Sequence, residues 1–177
     1  MDINFRELNI EEIDVKLFRN FIRRQVVKEC FRKSGNKWII KDDPFIDDWS
    51  DQDYIFLIEC LKNTINTGGV VFGAFSDDIL KGFASVESKI FGKKYKYLDL
   101  TSIHVSEDMR GRGIGKKLFN MSAGWAKIHG GEKLYISSHS AVETQYFYKK
   151  MGCVEALEYN KEHVEKEPFD CQLEFVL

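Results

Sequence analysis

Residues 110–117 read Arg-Gly-Arg-Gly-Ile-Gly-Lys-Lys. Glycine weakens regular structure but opens positive φ and lets a backbone approach a ligand closely. A β-like run, Tyr97 to Val105, precedes this stretch. Ile114, Leu118, Met121, Trp125 and Ile128 then recur at helical spacing. A strand, a glycine turn and a helix N-terminus in succession point free N–H groups and the positive end of the helix dipole the same way. That geometry binds anions, phosphates above all. Arg110, Arg112, Lys116 and Lys117 add positive charge. The competing reading is a solvated turn with surface basic residues, and three glycines within five residues argue against it.

Two common phosphate patterns fail on residue type. A P-loop requires GxxxxGK[ST], but position 110 is Arg and Lys117 follows Lys116. A dinucleotide fingerprint requires GxGxxG, but the third residue after Gly113 is Lys116. The parallel βαβ unit that this fingerprint opens is also missing from the chain start.

Arg110 to Gly115 resembles the [Q/R]xxGx[G/A] signature of the GCN5-related N-acetyltransferases, the GNAT superfamily. "LTSIHVSEDMRGRGIG" is similar to that family's fourth strand and pyrophosphate loop, and "ETQYFYKKMGC" to its second signature. Cys153 stands where that signature usually has Phe. The resemblance implies acetyl-CoA as cosubstrate, with no metal. The pyrophosphate would lie against Arg110, Gly111, Arg112, Gly113, Ile114, Gly115 and Lys116. The backbone of Ile103, His104 and Val105 would pair with the pantetheine arm and polarise the thioester.

Acetyl transfer to an amine also needs a proton for the departing thiolate and an acceptor for the amine's proton. Tyr148 matches the family's acidic tyrosine; read from the residues alone, it is an aromatic on a buried helix face. Asp99, six residues before Val105, is the leading base, at a spacing where histone-type members carry glutamate. Strict alternation places Asp99, Thr101, Ile103 and Val105 on one strand face and His104 on the other, unless a bulge intervenes. Glu87 and His104 are the other candidates, and a water relay is open. In "SSHSAVE", Ser140 with Glu143 fits a helix capping box, and His139 reads as an exposed loop residue. The implied reaction is direct attack by a primary amine of a small molecule or peptide in a ternary complex. A non-catalytic acyl-CoA sensor is the alternative, and a nucleotide-binding switch is a third reading that the motif failures argue against.

These residues need a scaffold. The patterns predict a strand over Ile3–Leu8 and a helix from Glu11 to about Arg32, with Ile13, Leu17, Phe18, Phe21 and Ile22 on its apolar face. An acidic loop with six aspartates follows over Lys41–Asp53, able to draw a cationic amine. A second helix capped by Ser50 carries Tyr54, Leu57, Ile58, Leu61 and Ile65. A three-stranded meander comes next: Val70–Phe75, Ile79–Lys89 with a turn at Asp77-Asp78, and Tyr97–Val105. After the glycine loop come a helix to Gly130, a strand Lys133–Ser137, a helix Ala141–Met151, and strands Cys153–Tyr159 and Asp170–Val176 around a charged loop with Pro168. The fold class is α/β (α+β): one domain over 1–177, with a mostly antiparallel sheet of about seven strands and about four helices.

The chain has 177 residues, 44% hydrophobic and 31% charged, with net charge −2 and pI near 6.1. That balance argues against a nucleic-acid binder. No apolar run is long enough to span a bilayer. Met1–Arg6 lacks the basic-then-apolar pattern of a secretory leader, so a cytoplasmic protein is expected. Cys30, Cys60, Cys153 and Cys171 show no metal spacing and read as free thiols. A homodimer is compatible with the composition.

Overall fold

The computed structural model describes residues 2–177; Met1, the first residue read for a leader, lies outside them. The chain opens with β1 (Asn4–Glu7) and a single 3-10 turn (Ile10–Glu12). The helix expected over 11–32 is replaced by turns followed by β2 (Arg24–Ser34), which pairs with β3 (Lys37–Asp48) as a two-stranded hairpin. The register slips between Val27 and Glu29, with the extra residue on β3, and the buried Val27 and Cys30 stand three residues apart, which imitates helical spacing. Ile13, Phe18 and Phe21 are buried as the helical reading requires, but they reach the core from turns. The expected acidic loop belongs largely to β3.

Helix α1 (Asp51–Asn66) begins at a reciprocal cap. The Asp53 amide donates to Ser50 Oγ at 3.3 Å, and the Ser50 amide to Asp53 Oδ2 at 2.8 Å. β4 (Val70–Ser76) and β5 (Ile79–Val86) meet at Asp77 and Asp78, with φ of 49° and 60°, the left-handed pair that a tight hairpin demands. Then come β6 (Tyr97–Val105), α2 (Ile114–Ile128), β7 (Lys133–Ser138) and α3 (Val142–Met151). β8 (Val154–Glu155), α4 (Lys161–Lys166) and β9 (Cys171–Val176) complete the chain. β8 is shorter than the strand expected there, and α4 occupies the charged loop before Pro168. No helix among the described residues is long and apolar enough to cross a membrane.

The main sheet has seven strands in the order β1-β4-β5-β6-β7-β9-β8. Every pairing is antiparallel except β6 with β7. One face is covered by α2 and α3, around Leu98, Leu100, Leu118, Phe119 and Ile136. The other is covered by α1 and the turns before β2, around Ile13, Phe18, Leu61 and Phe83.

Two details of β6 shape the middle of the sheet. Val86 faces Leu100 and Ser85 faces Ser102, so Thr101 is one residue too many and the strand bulges there. The bulge resets the alternation: Leu98, Leu100, Ile103 and Val105 all pack against the α2–α3 face. Second, β6 and β7 pair only through Tyr97–Lys133, Leu98–Leu134 and Asp99–Tyr135, and then diverge.

Candidate active site

The divergence of β6 from β7 opens a cleft of about 950 Å³. That volume suits a ligand of cofactor size. One wall is β6 from Leu100 to Val105, whose outer edge lost β7 as a partner. Ser137, His139 and the α3 residues Glu143, Thr144, Phe147 and Tyr148 form the opposite wall. Arg110, Gly111, Gly113, Ile114, Gly115 and Lys116 close one end. Of the loop residues singled out in the sequence, Arg112 is exposed and outside this lining.

Gly111 and Gly113 have φ of 75° and 80°, and a Cβ at either would meet no atom within 4 Å. The turn thus takes a backbone shape costly for other residues and leaves open space in front of it. Gly113 is the N-cap of α2 and no side chain caps that helix. The amides of its first turn therefore remain for a ligand. The Arg110 side chain folds back, donating from Nε to the Val105 carbonyl at 3.3 Å. Burial lowers its pKa, with Arg23 acting in the same direction.

Tyr148 lies on the cleft wall and is buried. Burial pushes its phenol pKa up, and Cys153 adds to this while Ser138 opposes it. The hydroxyl therefore stays protonated, the form a proton donor needs. His104 is wedged between Phe83 and Trp49, with ring centroids 5.3 and 4.8 Å away. Burial, with Arg23 and Arg110 nearby, drives its pKa down to about 3. Its imidazole is neutral packing, and its contribution to the cleft is through the strand.

The bulge corrects the expected arrangement of Asp99. Ile103 and Val105 face α2, while Asp99 lies on the opposite side of the sheet and outside the cleft lining. It is not a base on an open strand face: it is only 9% exposed, and its Oδ2 is 2.5 Å from His163 Nε2 on α4. Glu87 Oε1 accepts from Thr64 Oγ1 at 2.5 Å. Ser140 is no helix cap, since the N-cap of α3 is Ala141 and no side chain caps it; the Ser140 hydroxyl accepts from Arg32 Nη1 at 2.5 Å. His139 lines the cleft, with Nδ1 accepting from the Ala141 amide at 3.1 Å.

Sequence reasoning missed Arg23 and Gln25, which reach the cleft from the start of β2 and the residue just before it. The hairpin bridges the two diverging strands. At the β6 side the Glu107 amide donates to the Ile22 carbonyl at 2.9 Å. At the β7 side the Phe31 amide donates to the Ser140 carbonyl at 2.8 Å. Arg23 is buried, ion-paired with Asp47, and lies over the Trp49 ring at 5.1 Å. Because the spacing of this segment predicts a helix, none of this is visible in the sequence. Among the described residues, no three His, Cys, Asp or Glu side chains gather as a metal site.

Solved proteins share this fold. No curated protein sequence matches the chain. Among solved structures, a putative streptothricin acetyltransferase from Bacillus anthracis str. Ames, in complex with acetyl coenzyme A, superposes with TM-score 0.74 at 17% identity, covering 100% of this chain and 99% of that one. A nourseothricin acetyltransferase gives 0.68 at 16%, covering 98% and 96%. The PaiA N-acetyltransferase from Thermoplasma acidophilum, in complex with coenzyme A, gives 0.62 at 18%, covering all of both chains. At these identities the likeness concerns the fold. The acetyltransferase (GNAT) family model matches residues 34–153, from the end of β2 to the residue after α3 and its closing glycine. With that match over most of its length, the chain is a member of the GNAT acetyltransferase family.

Proposed function

We propose that this protein transfers an acetyl group from acetyl-CoA to a primary amine of a small molecule or peptide, by direct attack within a ternary complex. The observation that carries this reading is the cleft itself: diverging strands with an uncapped glycine turn at one end and a buried, protonated tyrosine on the wall. Family membership and two neighbours whose structures contain acetyl-CoA or CoA support it.

The residues suit the cosubstrate. The open space before Gly111 and Gly113 fits a pyrophosphate, and the α2 amides with Lys116 would neutralise it. The edge of Ile103, His104 and Val105 that β7 has left would accept the pantetheine arm as an added strand. Bound acetyl-CoA supplies an activated acyl group with a thiolate as leaving group. Tyr148 holds a proton at its hydroxyl for that thiolate, the amine's proton leaves to water, and the cleft walls orient the two reactants.

Calorimetry with CoA and a thiol-release assay over a panel of primary amines test this together. CoA binding with turnover of at least one amine is expected. Binding without turnover on any amine would favour an acyl-CoA sensor, and absence of CoA binding would overturn both readings.

A further inference from the structure

Arg23 is only 8% exposed and yet lines the cleft. Asp47 takes its Nη2, and the guanidinium packs over the Trp49 ring. Nε is enclosed and has no hydrogen-bond partner. Among the described residues nothing bonds Nη1 either, and that nitrogen is not enclosed. A half-satisfied guanidinium on a cleft wall is costly, and the ligand that completes it is an anion.

Arg110 stands beside it. Its Nε donates to the Val105 carbonyl, and among the described residues it makes no ion pair. Three carboxylates lie near the two arginines. Asp47 is held by Arg23, Glu107 pairs with Arg24 at 3.5 Å, and Glu143 belongs to the far wall. Burial lowers the pKa of Arg110, and of the charges around it Arg23 acts most strongly, in the same direction. The two guanidiniums therefore repel one another across a space that an anion would neutralise.

The pair stands apart from the turn that suits the pyrophosphate. Ile103 and Val105 pack toward α2, whereas His104 between them packs on Trp49 and Phe83. Arg23 packs on the same Trp49. The segment around Arg23 is fixed there: the Ile22 amide donates to Ser106 Oγ at 3.0 Å, and the Trp49 amide to the Arg23 carbonyl at 3.3 Å. A group held by Arg23 approaches β6 from the side opposite α2, which leaves the α2 amides to the cosubstrate. In a ternary complex that group belongs to the acceptor.

We propose that Arg23 and Arg110 form a carboxylate subsite, and that the acceptor is a primary amine that also carries a carboxylate, as an amino acid does. This rests on the amine-acetylating reading and names the chemical class of the acceptor. Nη1 of Arg23 donates to the carboxylate, and Arg110 supplies the second positive charge. Holding the acceptor by its carboxylate orients the amine and leaves the nitrogen free to attack.

The test needs no turnover. Calorimetry on the CoA-loaded protein compares glycine, 4-aminobutanoate and 6-aminohexanoate, each with its carboxamide, which keeps the amine and the shape but not the charge. At least one acid is expected to bind about tenfold more tightly than its amide. Arg23→Gln should bring that ratio close to one. Arg23→Lys, which keeps the charge without the planar fork, should retain part of it. Because Arg23→Gln leaves Asp47 without its partner, Arg23→Gln/Asp47→Asn, with both charges removed, serves as a second variant and should lose the preference equally. Equal binding of acid and amide by the wild type, no binding of any acid, or an unchanged preference in both variants would overturn the proposal. So would a loss of CoA affinity in the variants that matches the loss for the acid, since it would assign the anion to the cosubstrate. Failure of the wild type to turn over any amine counts against the transfer reading instead, and the acid-to-amide ratio still decides this one.

Discussion

Asp99 and Tyr135 are the last residues joining β6 to β7, and beyond them the only parallel pairing in the sheet comes apart. The cleft is the space that opens there, and its two ends are set by different physics. At the apex, the sheet buries a carboxylate against an imidazole. At the mouth, a glycine turn exposes helix amides.

The mouth predicts the outcome of Gly113→Glu. A side chain at φ 80° is strained by about 1 kcal/mol, and the carboxylate would stand where the pyrophosphate is expected. Gly113→Ala adds the strain without the charge. CoA affinity measured by calorimetry should fall at least about tenfold further in the glutamate variant than in the alanine variant, roughly 1.4 kcal/mol. Equal losses would mean that the turn does not hold the phosphates.

Tyr148→Phe removes one hydroxyl from a buried wall while preserving the ring packing against Phe119 and Phe147. If that hydroxyl delivers a proton to the departing thiolate, kcat should fall about a hundredfold with KM nearly unchanged. Steady-state kinetics with the best amine of the panel checks this. An unchanged kcat, with chemistry limiting, would return Tyr148 to a packing role.

The bulge at Thr101 makes a sharper structural prediction. Its side chain contributes little beyond a 2.9 Å hydrogen bond with Ser85, so Thr101→Ala should cost about 1 kcal/mol. Removing the residue altogether takes out the bulge and leaves Leu98, Leu100, Ile103 and Val105 in strict alternation, still on the α2 face. With those apolar contacts kept, the deletion should cost about as little as the alanine variant, on the order of 1 kcal/mol. Urea denaturation of the two variants compares them; a midpoint far lower for the deletion would show that the bulge itself holds the shape of the strand.

Much of this architecture is legible in the residues, and what is hidden has identifiable reasons. Ser50 with Asp53, the Asp77-Asp78 turn and the glycine loop act locally, so their chemistry announces α1, the β4–β5 hairpin and the start of α2. The β2–β3 hairpin is hidden because its buried Val27 and Cys30 are spaced like a helix face and because the partners of this segment, Ser106 and Ser140, are distant in sequence. Thr101 carries no bulge signal, and that one residue decides which side of the sheet Asp99 faces relative to Ile103. His163 lies in a short charged helix, Lys161–Lys166, with no apolar stripe, so nothing local marks it as the partner of Asp99.

Lys133 and Glu174 form a buried ion pair on β7 and β9, 2.5 Å apart and each under a tenth exposed. Lys133 Nζ also lies 3.8 Å from the Tyr95 ring centroid, and Glu174 Oε2 accepts from the Tyr97 hydroxyl at 2.6 Å and the Leu157 amide at 3.0 Å. Burial pushes the Glu174 pKa up, but the hydrogen bonds from Lys133, Tyr97 and Leu157 and the charge of Lys133 outweigh it, so the net shift is downward from 4.5. A carboxylate with a depressed folded-state pKa contributes stability that is present above its unfolded pKa and is lost as pH falls through the folded value. Thermal unfolding of the wild type should therefore weaken on acidification below about pH 4.5. Glu174→Gln keeps the shape and an acceptor for Tyr97 but strands the Lys133 ammonium, at a cost of about 3 kcal/mol. For a chain of this size that lowers Tm by roughly 6–12 °C at neutral pH. The deficit relative to wild type should shrink as pH falls below the folded pKa, where Glu174 itself becomes neutral; a deficit independent of pH would assign the loss to packing instead of charge.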